Sequence, residues 1–246
     1  MTKMTDKIFE VLEATWPAAA QVEAGPWTLR EGRGGGKRVS AATLNGVWAP
    51  EDLGAAESAM RLMGQDPLFQ IRPGEEALDT ALAERGYELV DTTHLWVAPI
   101  GQFVDRKLPR VTAFTIWEPL EIMKEIWAEG GITEARLRVM DRCKLQKTSM
   151  FGRVSDRPGG AGFCALYEGT AMVHALEVRE EHRGKGMAGW LMRAAGLWAE
   201  RKGAHQMAVA CTQANVAANA LYASLGMELV GQYHYRILKD PEGDLS

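Results

Sequence analysis

Two stretches of the chain repeat one pattern. "LAERGYELVDTTHLWV" begins at Leu82 and "LYASLGMELVGQYHYRI" begins at Leu221. Gly86, Glu88, Leu89, Val90 and His94 match Gly226, Glu228, Leu229, Val230 and His234, each pair separated by 140 positions (226 − 86 = 140). Both stretches read as the end of a helix, a glycine stop and a strand, and a strand precedes each helix. A repeat of this kind restricts the chain to two related units. We therefore expect a domain at 1–100, a linker at 101–110 within the stretch Ala98–Arg110, which has two prolines, a glycine and a charge cluster, and a second domain at 111–246. With 246 residues the chain is long enough for two.

The first unit reads as a helix over Thr5–Trp16 ended by Pro17, then strands over Trp27–Glu31 and Arg38–Leu44 around the loop "GRGGGK". We expect a hairpin loop there rather than a phosphate site, because no helix start follows it. A helix from Pro50, the strand "PLFQIRP", the helix "EEALDTALAERGY" and the strand "YELVDTTHLWV" complete the unit. The second unit reads β-α-α-β-β-β-α-β-α-β, the order of a mixed, mostly antiparallel sheet flanked by helices in an α/β (α+β) fold.

"EEHRGKGMAGWLM" places Gly184, Gly186 and Gly189 at what reads as the start of a long helix after a strand ending near Val178. Gly costs about 1 kcal/mol against Ala inside a helix. A helix N-terminus presents unpaired N–H groups and a partial positive charge. Glycines there clear Cβ atoms from the approach of an anion. The expected result is a phosphate or pyrophosphate cradle, with Arg183 and Lys185 at its rim. Gly189 is read instead as allowing close helix–sheet packing.

The run R-x-x-G-x-A at Arg183–Ala188 resembles motif A of the GNAT superfamily of acetyl-CoA-dependent N-acetyltransferases. "NVAANALYASLGMELVG", from Asn215, resembles that family's second signature, with Met227 in place of an aromatic. The resemblance covers roughly Val111 to Leu238. The first unit lacks the motif, and the repeat makes it a degenerate copy. The resemblance implies acetyl-CoA as cosubstrate. The backbone of Gly184, Lys185, Gly186, Met187, Ala188 and Gly189 would hold its pyrophosphate, with Arg183 beside it. The strand near Val178 would pair with the pantetheine arm, and Asn215 would bond nearby. Tyr222 would lie at the thioester sulfur, where a phenol can protonate the leaving thiolate.

Strand alternation over "AMVHALEV" puts His174, Leu176 and Val178 on one face and Val173, Ala175 and Glu177 on the other. His174 sits where some relatives place a histidine facing the amine; Glu177 is the alternative base, and Met172 replaces a second histidine. Acceptor-side candidates are Trp117, Trp127, Glu129, Arg136, Arg138 and Asp141.

The expected activity is transfer of an acetyl group to a primary amine of a small molecule, amino acid or peptide. The alternatives are a non-catalytic acyl-CoA-binding sensor and a transferase of longer acyl groups. A net charge of −4 gives no general attraction to nucleic acid or anionic membrane. No apolar run spans a bilayer. Cys143, Cys164 and Cys211 read as reduced and buried, without metal-ligand spacing, so no metal is expected. A cytoplasmic protein is expected, as a monomer with an internal pseudo-dimer or as a homodimer.

Overall fold

The computed structural model describes residues 3–239; the outer ends expected for the two domains, residues 1–2 and 240–246, lie outside the described residues. The first half contains α1 (Lys3–Thr15), β1 (Ala20–Ala24), β2 (Trp27–Glu31), β3 (Thr43–Leu44), α2 (Pro50–Leu62), β4 (Leu68–Ile71), α3 (Glu76–Glu84) and β5 (Glu88–Pro99). The second contains α4 (Gly101–Val104), β6 (Ala113–Ile116), α5 (Glu121–Glu129), α6 (Glu134–Arg142), β7 (Gln146–Val154), β8 (Arg157–Tyr167) and β9 (Thr170–Val178). It closes with α7 (Met187–Arg201), β10 (Gln206–Thr212), α8 (Val216–Ser224) and β11 (Glu228–Ile237).

Eight strands form one sheet in the order β4-β11-β5-β10-β9-β8-β7-β6, beside a three-stranded sheet β1-β2-β3. A parallel bridge joins the two, where Ala42 N donates to Leu68 O at 2.8 Å and Gln70 N to Ala42 O at 2.9 Å. The combined sheet has a pseudo-twofold axis between β5 and β11. Glu228 pairs with Val97, and Ile237 pairs with Glu88, which is the same pair under a shift of 140. His94 opposite Cys211 likewise repeats as His234 opposite Ile71. Even α3 and α8 differ by 140 at both ends.

Each half gives its last strand to the other. β5 lies against β10 and β11, and β11 lies between β5 and β4. The sheet therefore does not break at 101–110. That segment carries α4, and its Phe103 is fully buried against α7. A Cβ on Gly196 would fall 2.3 Å from Phe103 Cβ, so this glycine is what admits the ring. Asp105 pairs with Arg193 of α7.

Two expected local features differ. Arg38–Leu44 is not one strand: Lys37–Val39 is a 3₁₀ turn and only Thr43–Leu44 pair, with Thr28 and Trp27. β1 carried no signal, because its residues are almost all exposed and do not alternate. α1 follows its apolar stripe. Ile8, Phe9, Val11 and Leu12 are buried, and the helix packs on β8, β9 and β11 of the other half.

Candidate active site

The site begins where two parallel strands part. β9 and β10 pair from Thr170/Gln206 to Val173/Val209 and no further. β9 continues to Val178 and β10 to Thr212, so a wedge opens between them. Ala175 sits in the middle of that stretch with φ +50°, an uncommon conformation for a residue with a Cβ. Its carbonyl accepts from Trp127 Nε1 at 2.8 Å. The pairing with β8 slips there: Phe163 opposes His174, while Ala161 opposes Glu177. This bulge overturns the expected alternation. His174 and Glu177 now share a face, and Val178 joins Val173 on the opposite one.

Beyond β9 the chain makes a short turn and enters α7. Gly184 and Gly186 have φ +73° and +79°. They precede the helix rather than lying inside it, so they cost no helix propensity, contrary to expectation. Their backbone demands the left-handed region that glycine enters freely. A Cβ at either would meet no protein atom within 4 Å. The first helical bond runs from Trp190 N to Gly186 O at 3.2 Å. The amides of Met187, Ala188 and Gly189 are thus the open donors of the helix start. Met187 buries its side chain, leaving only its backbone to the turn. Gly189 is not needed for packing, since a Cβ there would meet only Leu221 Cδ1 at 3.9 Å.

Side chains close over this turn. Arg183 Nε donates to Val178 O at 3.1 Å, and its Nη2 donates to Glu177 Oε1 at 3.1 Å. Glu177 Oε1 also accepts from Val178 N at 3.2 Å. Lys185 Nζ reaches back to Glu181 O at 2.8 Å. Glu177, Val178 and Arg183 line a side cleft of about 260 Å³ with Glu129, which holds Arg179 in a two-pronged bond at 2.7 and 2.9 Å.

The larger cleft, about 380 Å³, lies at the mouth of the wedge. His174, Tyr222 and Asn215 line it together. Glu177 does not reach it. Asn215 also caps α8, its Oδ1 accepting from Ala218 N at 3.1 Å. Tyr222 is buried, and burial beside Cys211 pushes its phenol well above the ordinary tyrosine range.

His174 is enclosed. Arg38 Nη1 lies 3.2 Å from its Nδ1. A guanidinium only donates, so Nδ1 is the acceptor and the proton is on Nε2. Nε2 then donates to Thr15 Oγ1 at 2.8 Å, and that hydroxyl donates to Val11 O at 2.6 Å. Trp16 stacks on the ring at 4.9 Å between centroids. Burial, reinforced by the Arg38 charge, holds the imidazole well below its usual pKa.

The first half supplies residues that sequence reasoning missed. Gly35, Gly36, Lys37 and Arg38 of the loop before β3 form one wall, and Asp91 and Thr93 of the exchanged β5 form part of another. Asp91 and Thr93 arrive only by the strand exchange, and the glycine-rich loop, expected as a hairpin connection, gave no sign that it faces the second half. Of the acceptor-side candidates, Arg136 lines the cleft. Trp127 is fully buried, Trp117 packs on Phe163 under Lys147, Arg138 lies 3.9 Å from Glu134, and Asp141 meets Lys147 through its carbonyl. Among the described residues, no group of three or more His, Cys, Asp or Glu is placed to hold a metal ion, and no helix is long and apolar enough to cross a membrane.

A parallel pair thus opens in front of a glycine turn and a helix start, with a buried phenol at the opening. Residues 124–227 match the model of the acetyltransferase (GNAT) family. The chain carries a GNAT domain, and its fold is two GNAT-like halves in tandem. It is similar to a Bacillus subtilis (strain 168) protein described as uncharacterized N-acetyltransferase YobR, at 28% identity, covering 94% of this chain and 97% of that one. In structure it is similar to a GCN5-related N-acetyltransferase from Kribbella flavida, with TM-score 0.69, 20% identity, and coverage of 100% and 98%. It is also similar to a tandem GNAT protein from the clavulanic acid biosynthesis pathway, with TM-score 0.62, 11% identity, and coverage of 96% and 88%.

Proposed function

We propose that the protein transfers an acetyl group from acetyl-CoA to a primary amine. The observation that carries this is the wedge between β9 and β10 opening beside the turn at Gly184–Gly186. The amides of Met187, Ala188 and Gly189 suit a pyrophosphate. The edge of β9 beyond Val173 suits an extended pantetheine arm. To seat it, Arg183 would leave Val178 O and turn toward the phosphates.

In the proposed reaction the neutral amine attacks the thioester carbonyl carbon, and the C–S bond then breaks. The departing thiolate takes the proton of Tyr222, and the new amide nitrogen sheds its extra proton to solvent. A phenol whose pKa is raised stays protonated at neutral pH, as an acid must. Tyr222 and Asn215 meeting at the cleft, with the glycine turn beside the wedge, support an enzyme over a non-catalytic sensor.

His174 was the expected base. Its position supports a different role: with Nδ1 bonded to Arg38 and Nε2–H bonded to Thr15, it has no free lone pair. We assign it to holding α1 and Arg38 at the cleft. Glu177, paired with Arg183, is assigned to the coenzyme side. The N-terminal half, which has no glycine turn of this kind at α2, is assigned to building the acceptor wall rather than binding a second coenzyme.

The test is release of coenzyme A thiol from acetyl-CoA with a panel of primary amines. Turnover lost in Tyr222→Phe, with acetyl-CoA still bound, supports the assignment. Turnover unchanged in that variant removes Tyr222 from the chemistry.

A further inference from the structure

Three cations and one carboxylate line the larger cleft: Lys37, Arg38, Arg136 and Asp91. Lys37 and Asp91 neutralise each other at 2.9 Å. Arg38 and Arg136 have no carboxylate partner among the described residues. Arg38 is the more constrained of the two. One of its Nη atoms bonds His174, and the phenols of Tyr233 and Tyr235 stand near its guanidinium. None of these neighbours is a carboxylate. Its Nε is buried with no hydrogen-bond partner. Arg38 therefore brings to the cleft a cation with no carboxylate partner, which suits an anion that enters there. Arg136 extends from α6 to the same wall, its Nη2 3.4 Å from the place a Cβ on Gly36 would occupy.

We propose that Arg38 and Arg136 bind a carboxylate on the acceptor, so that the acceptor is an amine that also carries a carboxylate group, such as an amino acid. This rests on the acetyl-transfer reading above. The coenzyme's own phosphates are an unsuitable occupant, because the turn that suits them lies at the far end of β9, beyond Val178. The guanidinium fork matches a carboxylate in two parallel bonds, and fixing that end orients the amine toward the wedge. Arg38 comes from the first half and Arg136 from the second, so the acceptor site needs both.

The experiment compares the protein amino acids with the amines that their decarboxylation gives. Both sets are assayed for thiol release with acetyl-CoA and for direct binding by calorimetry without coenzyme. At least one amino acid is expected to bind and to turn over, with kcat/KM about tenfold to a hundredfold above its decarboxylated partner. Arg136→Gln, on the exposed rim, and Arg38→Lys, which keeps the charge and loses the fork, should each raise KM for that amino acid. The loss should be several-fold larger with the amino acid than with the decarboxylated amine, which lacks the group the arginines hold, and the Kd of acetyl-CoA should stay within threefold. Amines preferred over amino acids, or variants that lower both equally, overturn the carboxylate site while leaving acetyl transfer standing. If acetyl-CoA does not bind, the transfer reading fails, and amino-acid binding in calorimetry still decides the site: none means that Arg38 has no carboxylate partner.

Discussion

His94 Nδ1 donates to Asn219 Oδ1 at 3.0 Å, joining the last strand of the first half to the last helix of the second. Shifted by 140, the same contact is His234 Nε2 to Asp79 Oδ1 at 2.7 Å. The third members also correspond: Trp96 Nε1 donates to Asn219 Oδ1 at 3.0 Å, and Arg236 Nε donates to Asp79 Oδ1 at 2.7 Å. One half uses a neutral acceptor and the other a charged one at the same place in the fold. Each exchanged strand is thus tied to the helix of the half that receives it.

Asp79→Ala should destabilise the protein by about 1.5–3 kcal/mol, the range for a hydrogen bond to a charged group. Asp79→Asn, which copies the Asn219 arrangement, should cost less than half as much. The bond from Arg236, with help from His234, holds the Asp79 carboxyl below its ordinary range. A depressed acid contributes stability above its unfolded pKa and loses it as pH falls through the folded one. The Asp79→Ala deficit should therefore shrink in acid. Urea titration at pH 7 and pH 3 measures both effects, and a deficit independent of pH would contradict the pairing.

Neither half should fold alone. A fragment of residues 111–239 leaves β10 without β5 and β11 without either neighbour, exposing unpaired strand edges. The intact chain should melt in one transition, and the fragment should aggregate unless it is produced together with residues 1–110. A soluble, cooperative 111–239 fragment would contradict the strand exchange.

Tyr222→Phe should lower kcat by about 10²–10⁴, the usual range for a proton-transfer group, with the Kd of acetyl-CoA within threefold. Because burial raises the phenol's pKa, the rate should show no alkaline fall from Tyr222 below pH 10. A fall near pH 8 that Tyr222→Phe abolishes would mean that the phenol is not buried as described.

His174 is neutral in the folded protein, whereas in the unfolded chain it titrates near 6.5. A base with a depressed folded pKa gives stability present above its unfolded pKa and lost as pH falls below it. Wild-type stability should fall between pH 7 and pH 5, and His174→Gln should flatten that fall while costing about 1–3 kcal/mol at pH 7. The kcat/KM profile of His174→Gln should keep the wild-type acidic limb. Loss of that limb would restore His174 as the base.

The C-terminal signature was legible because its parts are local. A glycine turn needs only positive φ at Gly184 and Gly186, and α8 needs only Asn215 at its start and Gly226 at its end. The repeat was legible too, and it foretold the symmetry that the sheet adopts. The bulge at Ala175 was not, since alanine carries no turn signal, and it reversed the faces assigned to Glu177 and Val178. Arg38 and Asp91 were not legible either. Asp91 reaches the cleft through pairing between β5 and β10, and Arg38 through a glycine-rich loop whose composition does not say what it faces.

The central claim is that one coenzyme site, at the turn before α7, serves a cleft built by both halves. Calorimetric titration with acetyl-CoA tests it most directly, using wild type and Gly186→Glu. Space surrounds Gly186, but its φ of +79° disfavours any side chain, so lost affinity in that variant would report the part this turn plays in holding the ligand. We expect one equivalent bound by wild type and at least tenfold weaker binding by Gly186→Glu. Two equivalents, or affinity unchanged by the substitution, would contradict the account.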